Sequence, residues 1–83
     1  MVAQISALGR IIDFLSSQPT DEAILSMKAN DTEEDRVDQL SALKNEGTIS
    51  PEEDQELYNA LLAEYIMGIA KANAYGRINN TVN

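Results

Sequence analysis

The feature that most constrains the fold is a turn at residues 45–53, with the sequence Asn-Glu-Gly-Thr-Ile-Ser-Pro-Glu-Glu. Gly47 favours the left-handed conformation that ends a helix, because glycine has no Cβ to clash there. Ser50 and Glu53 are spaced as a capping box, with Pro51 at the first helical position, which is typical of a helix start. A helix stop followed so closely by a helix start predicts an antiparallel helical hairpin.

Apolar residues at helical spacing extend on both sides of this turn. They predict a short helix over residues 32–46 and a long helix over residues 51–75. An N-terminal helix is predicted over residues 2–17 and a short helix over residues 21–28. The expected fold class is therefore all-α, a small helical bundle built on the hairpin. Residues 1–76 are expected to form a single helical domain, and the polar residues 77–83 a flexible C-terminal tail.

The apolar face of the long helix is broader than its hairpin partner can cover. It consists of one stripe with its extensions on one side: Leu57, Leu61, Tyr65, Ile69, Ala72, Tyr58, Leu62 and Ile66. These positions span roughly half the circumference, and the helix would be about 37 Å long. We therefore expect the first helix, a second copy of the chain or a different protein to cover the remainder. Met67 projects toward the polar side and is a candidate for an exposed contact.

The charge of the chain is strongly acidic and unevenly distributed. The net charge is -8, and residues 21–56 contain twelve acidic and three basic residues. Such a surface argues against direct binding to nucleic acid or to an anionic membrane. Many of these acids occupy first turns of helices, where the helix dipole stabilises them. Their summed field would also steer a basic partner.

The composition excludes several kinds of site. The chain has no histidine and no cysteine, which excludes Ser-His and Cys-His nucleophiles and removes the preferred zinc ligands. Gly47 and Glu53 match part of a calcium loop, but Ala42 and Lys44 stand where oxygen ligands are required. We therefore predict no catalytic, cofactor-binding or metal-binding residues, and a chain that is not an enzyme. The absence of cysteine and of any targeting or membrane-spanning segment favours a cytoplasmic location.

Three segments share a pattern with a known group of proteins. They are residues 43–53 (Leu-Lys-Asn-Glu-Gly-Thr-Ile-Ser-Pro-Glu-Glu), residues 70–74 (Ala-Lys-Ala-Asn-Ala) and residues 18–25 (Gln-Pro-Thr-Asp-Glu-Ala-Ile-Leu). Together with Glu56-Leu57 they resemble small uncharacterised bacterial helical-hairpin proteins, some of which are toxin-associated. Asn73 stands where that pattern has arginine. The resemblance implies a binding role and carries over no catalytic residues.

These observations predict a small acidic protein–protein interaction module of the antitoxin or inhibitor type. It would bind a protein partner through the apolar face of the long helix, with acidic side chains steering a basic partner. The residues expected to bind the partner are Tyr58, Leu62, Tyr65, Ile66, Ile69, Glu33, Glu34, Glu52, Glu53 and Glu56. Two alternatives stay open: a structural homodimer or assembly protein, and an acidic inhibitor that mimics nucleic acid in a basic groove.

Overall fold

The computed structural model describes residues 6–80 and consists of four α-helices. They are α1 (Ala7–Ser16), α2 (Asp21–Leu25), α3 (Asp31–Glu46) and α4 (Pro51–Asn80). Within the described part of the chain there is no β-strand, and the predicted all-α class is confirmed. Residues 2–5 of the predicted first helix and residues 81–83 of the predicted tail lie outside the described residues.

The turn between α3 and α4 forms as the sequence predicted. Gly47 has a φ of 74°, in the left-handed region, and its amide donates to the carbonyl of Lys44 at 3.1 Å. At the start of α4 the Glu53 amide donates to Ser50 Oγ at 3.1 Å, and the Ser50 amide donates to Glu53 Oε1 at 3.0 Å. The capping box is therefore complete, and the helical hairpin is confirmed.

The other helices also begin at capping side chains. Thr20 Oγ1 accepts from the Ala23 amide at 3.1 Å at the start of α2. Asn30 and Glu33 form a second capping box, with hydrogen bonds of 2.8 and 2.9 Å. Because Asn30 is the capping residue, α3 begins at Asp31 rather than at residue 32.

α1 is shorter than the sequence predicted. Within the described residues it begins at Ala7, because Ser6 is its capping residue, and it ends at Ser16 rather than at residue 17.

The helices α2 and α4 also end at residues other than those predicted. The short helix α2 ends at Leu25 rather than at residue 28. The long helix α4 continues past Gly76 to Asn80, because Gly76 keeps a negative φ and does not terminate the helix. Arg77, which we assigned to the flexible tail, donates to Asp21 Oδ1 from Nε at 2.9 Å. Residues 77–80 thus belong to the helix, and Arg77 holds its end against the start of α2.

The core lies where α1 and α2 pack against α4. Its buried residues are Ile11, Ile24, Met27, Ala63, Met67 and Ala74. The prediction that Met67 is an exposed contact is wrong, because this side chain is 8% exposed and belongs to this cluster. On the hairpin side, Leu40 of α3 and Leu57 of α4 are buried as well. The described chain measures 52 × 31 × 19 Å, and its thin dimension accommodates about two layers of helices.

Candidate interaction surface on the long helix

One side of α4 is apolar and exposed to solvent. Its positions alternate three and four residues apart from residue 58 to residue 75, and every one of them is exposed. We call this set the α4 stripe; its members are Tyr58, Leu61, Tyr65, Gly68, Ala72 and Tyr75. The exposed fractions of its large side chains are 63% for Tyr58, 47% for Leu61, 67% for Tyr65 and 61% for Tyr75. Beside the stripe, Ile69 is 46% exposed.

The stripe is exposed because α1 and α2 pack against a different side of α4. That side presents Ala63, Met67 and Ala74, with Ala70 partly buried next to them. Alanine lets a neighbouring helix approach closely, and Met67 fills the remaining space with a flexible side chain. The face of α4 that carries alanine and Met67 therefore packs in the core of the chain, and the large tyrosine side chains of the stripe are exposed to solvent.

The α4 stripe contains no charged residue, although 24% of the residues in the chain are charged. The nearest charges along its edge are Glu64 and Lys71, which lie seven residues apart and therefore on the same side of the helix. Most of the acidic residues lie instead on α2, α3 and the first turn of α4. The stripe is therefore an apolar surface with one anionic and one cationic residue along this edge.

Three of the five predicted apolar contact residues lie together on this exposed side. They are Tyr58, Tyr65 and Ile69. Leu62 is half-buried at its edge, and Ile66 is half-buried because it packs against the core cluster. The residues that we did not single out as contacts include Tyr75 and Gly68, although the alternating three- and four-residue spacing identifies both.

The predicted acidic contact Glu33 is used within the chain. Its carboxylate accepts from Arg10 Nε at 2.8 Å and from Arg10 Nη2 at 2.7 Å, which ties α1 to α3. The same Nη2 also donates to the Lys28 carbonyl at 3.0 Å. The hydrogen bond from Arg10 lowers the pKa of Glu33 and raises the pKa of Arg10. Glu33 therefore joins α1 to α3 within the chain, and its contribution to steering a partner stays a prediction.

Glu56 and Glu53 also have partners within the chain. Arg36 of α3 donates to Glu56 through two hydrogen bonds of 2.6 and 2.8 Å, and these lower the pKa of Glu56. Glu53 completes the capping box of α4. Glu34 and Glu52 are exposed. Of the predicted acidic contacts, these last two have no ion-pair or side-chain hydrogen-bond partner among residues 6–80.

The rest of the described surface has no feature as extensive as the α4 stripe. Two clefts of about 340 and 390 Å³ lie where α1, α3 and α4 meet, and Ala7, Glu33, Val37 and Ala60 line both. Across residues 6–80, no three acidic side chains are grouped as a metal site would require. None of the described helices is long and apolar enough to cross a membrane.

Comparison with known proteins assigns no family to this chain. Models of known families, curated proteins and solved structures all give no match. The exposed side of α4 and the charges around it are therefore the features that bear on function.

Proposed function

We propose that this chain is a small acidic protein–protein interaction module, and that the α4 stripe is its binding surface. The observation that carries the proposal is the exposure of all three tyrosines of the chain, at 61–67%, along one side of a single helix. With about 200 Å² for each tyrosine, these side chains and their aliphatic neighbours Leu61 and Ile69 expose roughly 550 Å². The largest apolar patch on a typical monomer measures about 300–600 Å² and is often functional, and this one lies near the upper end of that range.

The chemistry of the stripe suits a protein partner. Tyrosine is enriched among the residues that dominate interface energies, because it buries a large ring and keeps a polar end for hydrogen bonding. The three tyrosines lie along 18 residues of rigid helix, from Tyr58 to Tyr75, a length of about 27 Å. A partner helix can contact this whole length without any change in the fold.

We propose an inhibitor-like or antitoxin-like role in the cytoplasm, with a basic protein as the partner that the acidic residues attract. Glu34 and Glu52 are exposed, as are Asp31, Asp35 and Asp38 of α3. Together with the net charge of -8, they create a negative field that increases the encounter rate with a basic protein. In this proposal the acids set the rate of association, the stripe supplies the buried contact, and the chain performs no chemistry of its own.

Site-specific photo-crosslinking in the cells that produce the chain tests this proposal. A benzophenone amino acid replaces Tyr58, which is 63% exposed at one end of the stripe. The matched control carries the same group in place of Ala42, an exposed residue on α3. We expect protein adducts from the first variant and few from the second. Absence of adducts at Tyr58, or the same adducts from both positions, would contradict the proposed binding surface.

A further inference from the structure

Gly68 is unexplained by the fold of a single copy. It lies in the middle of α4, where glycine destabilises a helix relative to alanine. A Cβ added at Gly68 would meet no atom within 4 Å, so no neighbour in the described chain requires a residue without a side chain. Gly68 is also exposed and lies within the α4 stripe. A close approach from outside the chain explains a glycine at this point.

We propose that the occupant of the α4 stripe is a second copy of the chain, bound with its α4 antiparallel to the first. The inference rests on the proposed function, because it names the partner of that same surface. The acidic field does not attract this second copy, whose net charge is also -8, so in the dimer the acids serve a separate basic protein. The alternating three- and four-residue spacing of the stripe is the spacing of a seam between two helices. Two-fold symmetry then sets each half of the stripe against the other half of the second copy.

The sizes of the side chains favour one antiparallel register. When Tyr65 faces Gly68 of the second copy, Leu61 faces Ala72 and Tyr58 faces Tyr75. Large residues thus meet small ones near the symmetry axis, and aromatic rings pair at both ends. A parallel pair would instead place Tyr65 against Tyr65 and Gly68 against Gly68. The parallel pair would be overpacked where the two Tyr65 rings meet and would leave a cavity where the two Gly68 residues meet.

The charges at the edge of the stripe favour the same register. Glu64 and Lys71 lie on one edge, and the antiparallel register places Glu64 beside Lys71 of the second copy and Lys71 beside its Glu64. Within residues 6–80, neither side chain has an ion-pair or hydrogen-bond partner. The second copy would supply one for each. A parallel pair would place this edge against the opposite edge of the second copy, where Leu62 and Ile69 lie, and would leave both charges without an oppositely charged neighbour.

The exposed area is sufficient for a specific dimer. The large side chains of the stripe together with Ile69 expose roughly 550 Å² in each copy, so a dimer would bury at most about 1,100 Å² in total, close to the lower limit of about 1,000 Å² for specific interfaces. We therefore expect a reversible dimer that dissociates on dilution. Such a dimer leaves exposed the acidic residues of α3, which are then present twice in the assembly.

Sedimentation equilibrium of the full chain over a range of concentrations tests the dimer. The variant Gly68→Leu inserts a side chain where Tyr65 of the second copy must fit, and should raise the dissociation constant about a hundredfold or more. Its matched control is Ala42→Leu, a small-to-large change at an exposed position on α3, which should leave the constant unchanged. A wild-type chain that stays monomeric at about 1 mM, or a dimer insensitive to Gly68→Leu, would overturn the proposal.

Disulfide trapping tests the register. Because the chain has no native cysteine, any disulfide must form between the introduced residues. A mixture of the Leu61→Cys and Ala72→Cys variants should form a mixed disulfide under mild oxidation. Leu61→Cys alone should not, because the two cysteines would be about 16 Å apart along the helix axis. Efficient self-linking of Leu61→Cys would indicate a parallel pair and overturn the antiparallel arrangement.

A charge exchange tests the two edge ion pairs. Glu64→Lys places two cations across the edge and should raise the dissociation constant about tenfold. Adding Lys71→Glu to the same chain restores opposite charges and should return the constant to within about threefold of wild type. No rescue by the second change would overturn the assigned register.

The photo-crosslinking experiment separates this inference from the proposed function. An adduct from position 58 with twice the mass of the chain supports both. An adduct with another protein, from a chain that sediments as a monomer, overturns the second copy and leaves the interaction function standing. A monomeric chain with no adduct overturns both.

Discussion

The ion pair between Arg10 and Glu33 gives a quantitative prediction for the variant Glu33→Gln. The Glu33 side chain is 14% exposed and Arg10 is 37% exposed, so water screens the pair only in part. Exposed pairs contribute up to about 1 kcal/mol, and two parallel charge-assisted hydrogen bonds place this one at or above that limit. We expect Glu33→Gln to lower the free energy of unfolding by about 1–2 kcal/mol. Glutamine can still accept from the Asn30 amide, so the capping box is retained.

The effect of Glu33→Gln should depend on pH in a defined direction. Hydrogen bonding from Arg10 lowers the pKa of Glu33 in the folded chain below its value in the unfolded chain, which is about 4.3. The unfolded state therefore binds the proton more readily. The stabilisation by the Arg10–Glu33 ion pair is fully present at pH values above about 4.3, and it is lost as the pH falls through the pKa of Glu33 in the folded chain. The difference between wild type and variant should shrink accordingly in acid.

Urea denaturation followed by far-UV circular dichroism measures this difference at neutral pH and at steps into the acid range. The control is Glu34→Gln, which removes the same charge from the same helical turn at an exposed position without an ion pair. It should change the free energy of unfolding by less than about 0.5 kcal/mol. Equal losses for the two variants at neutral pH would refute the structural role of Glu33. So would a loss for Glu33→Gln that persists once carboxylates are protonated.

Three further predictions concern the faces and ends of the helices. Met67→Ala should lower the free energy of unfolding by about 2–4 kcal/mol because Met67 is buried. Ile69→Ala should lower it by less than about 1 kcal/mol because Ile69 is 46% exposed. Equal losses for the two variants in urea titrations would contradict the assigned faces of α4. Gln18 follows α1 with a φ of 58°, so Gln18→Gly should raise the free energy of unfolding by about 0.5–1 kcal/mol, and a fall in the melting temperature would argue against that strained conformation. Ser50→Ala removes the cap of α4 and should cost about 1 kcal/mol in the same titration, a prediction that an unchanged midpoint would refute.

Local features of this fold could be predicted from the sequence because they depend on residues within four positions of each other. Gly47 ends α3, and Ser50 with Glu53 starts α4, as their spacing indicated. The same holds for Thr20 at the start of α2. Asn30 and Glu33 have the same three-residue spacing as Ser50 and Glu53, so the second capping box is equally local.

The division of α4 into a covered and an open face could not be predicted in the same way. The apolar pattern emphasised Leu57, Leu61, Tyr65 and neighbouring large residues, yet of these three only Leu57 is buried. Which face is covered depends on where α1 and α2 dock. They dock on the side of Ala63 and Ala74, and alanine contributes little to a hydrophobic pattern although it permits close packing.

The ion pairs between helices also could not be predicted from the spacing of residues in the sequence. Glu33 is 23 residues from Arg10, and Arg77 is 56 residues from Asp21. Such pairs form only after the helices have docked. The sequence alone therefore does not distinguish acidic residues that are paired within the chain from those that are free to attract a partner. Glu33 is one example: its sequence spacing indicates no partner, and the fold uses it to join α1 to α3.

The accessibility of the three tyrosines tests the central claim, that one side of α4 is uncovered in a single copy. Nitration with tetranitromethane, read by mass spectrometry, reports each tyrosine separately in a chain kept monomeric by dilution or by Gly68→Leu. Tyr58, Tyr65 and Tyr75, each at least 61% exposed, should react at nearly the rate of free tyrosine and become protected together when the chain associates. Protection of any one of them in the monomer would show that the chain covers its own stripe, and would contradict the account.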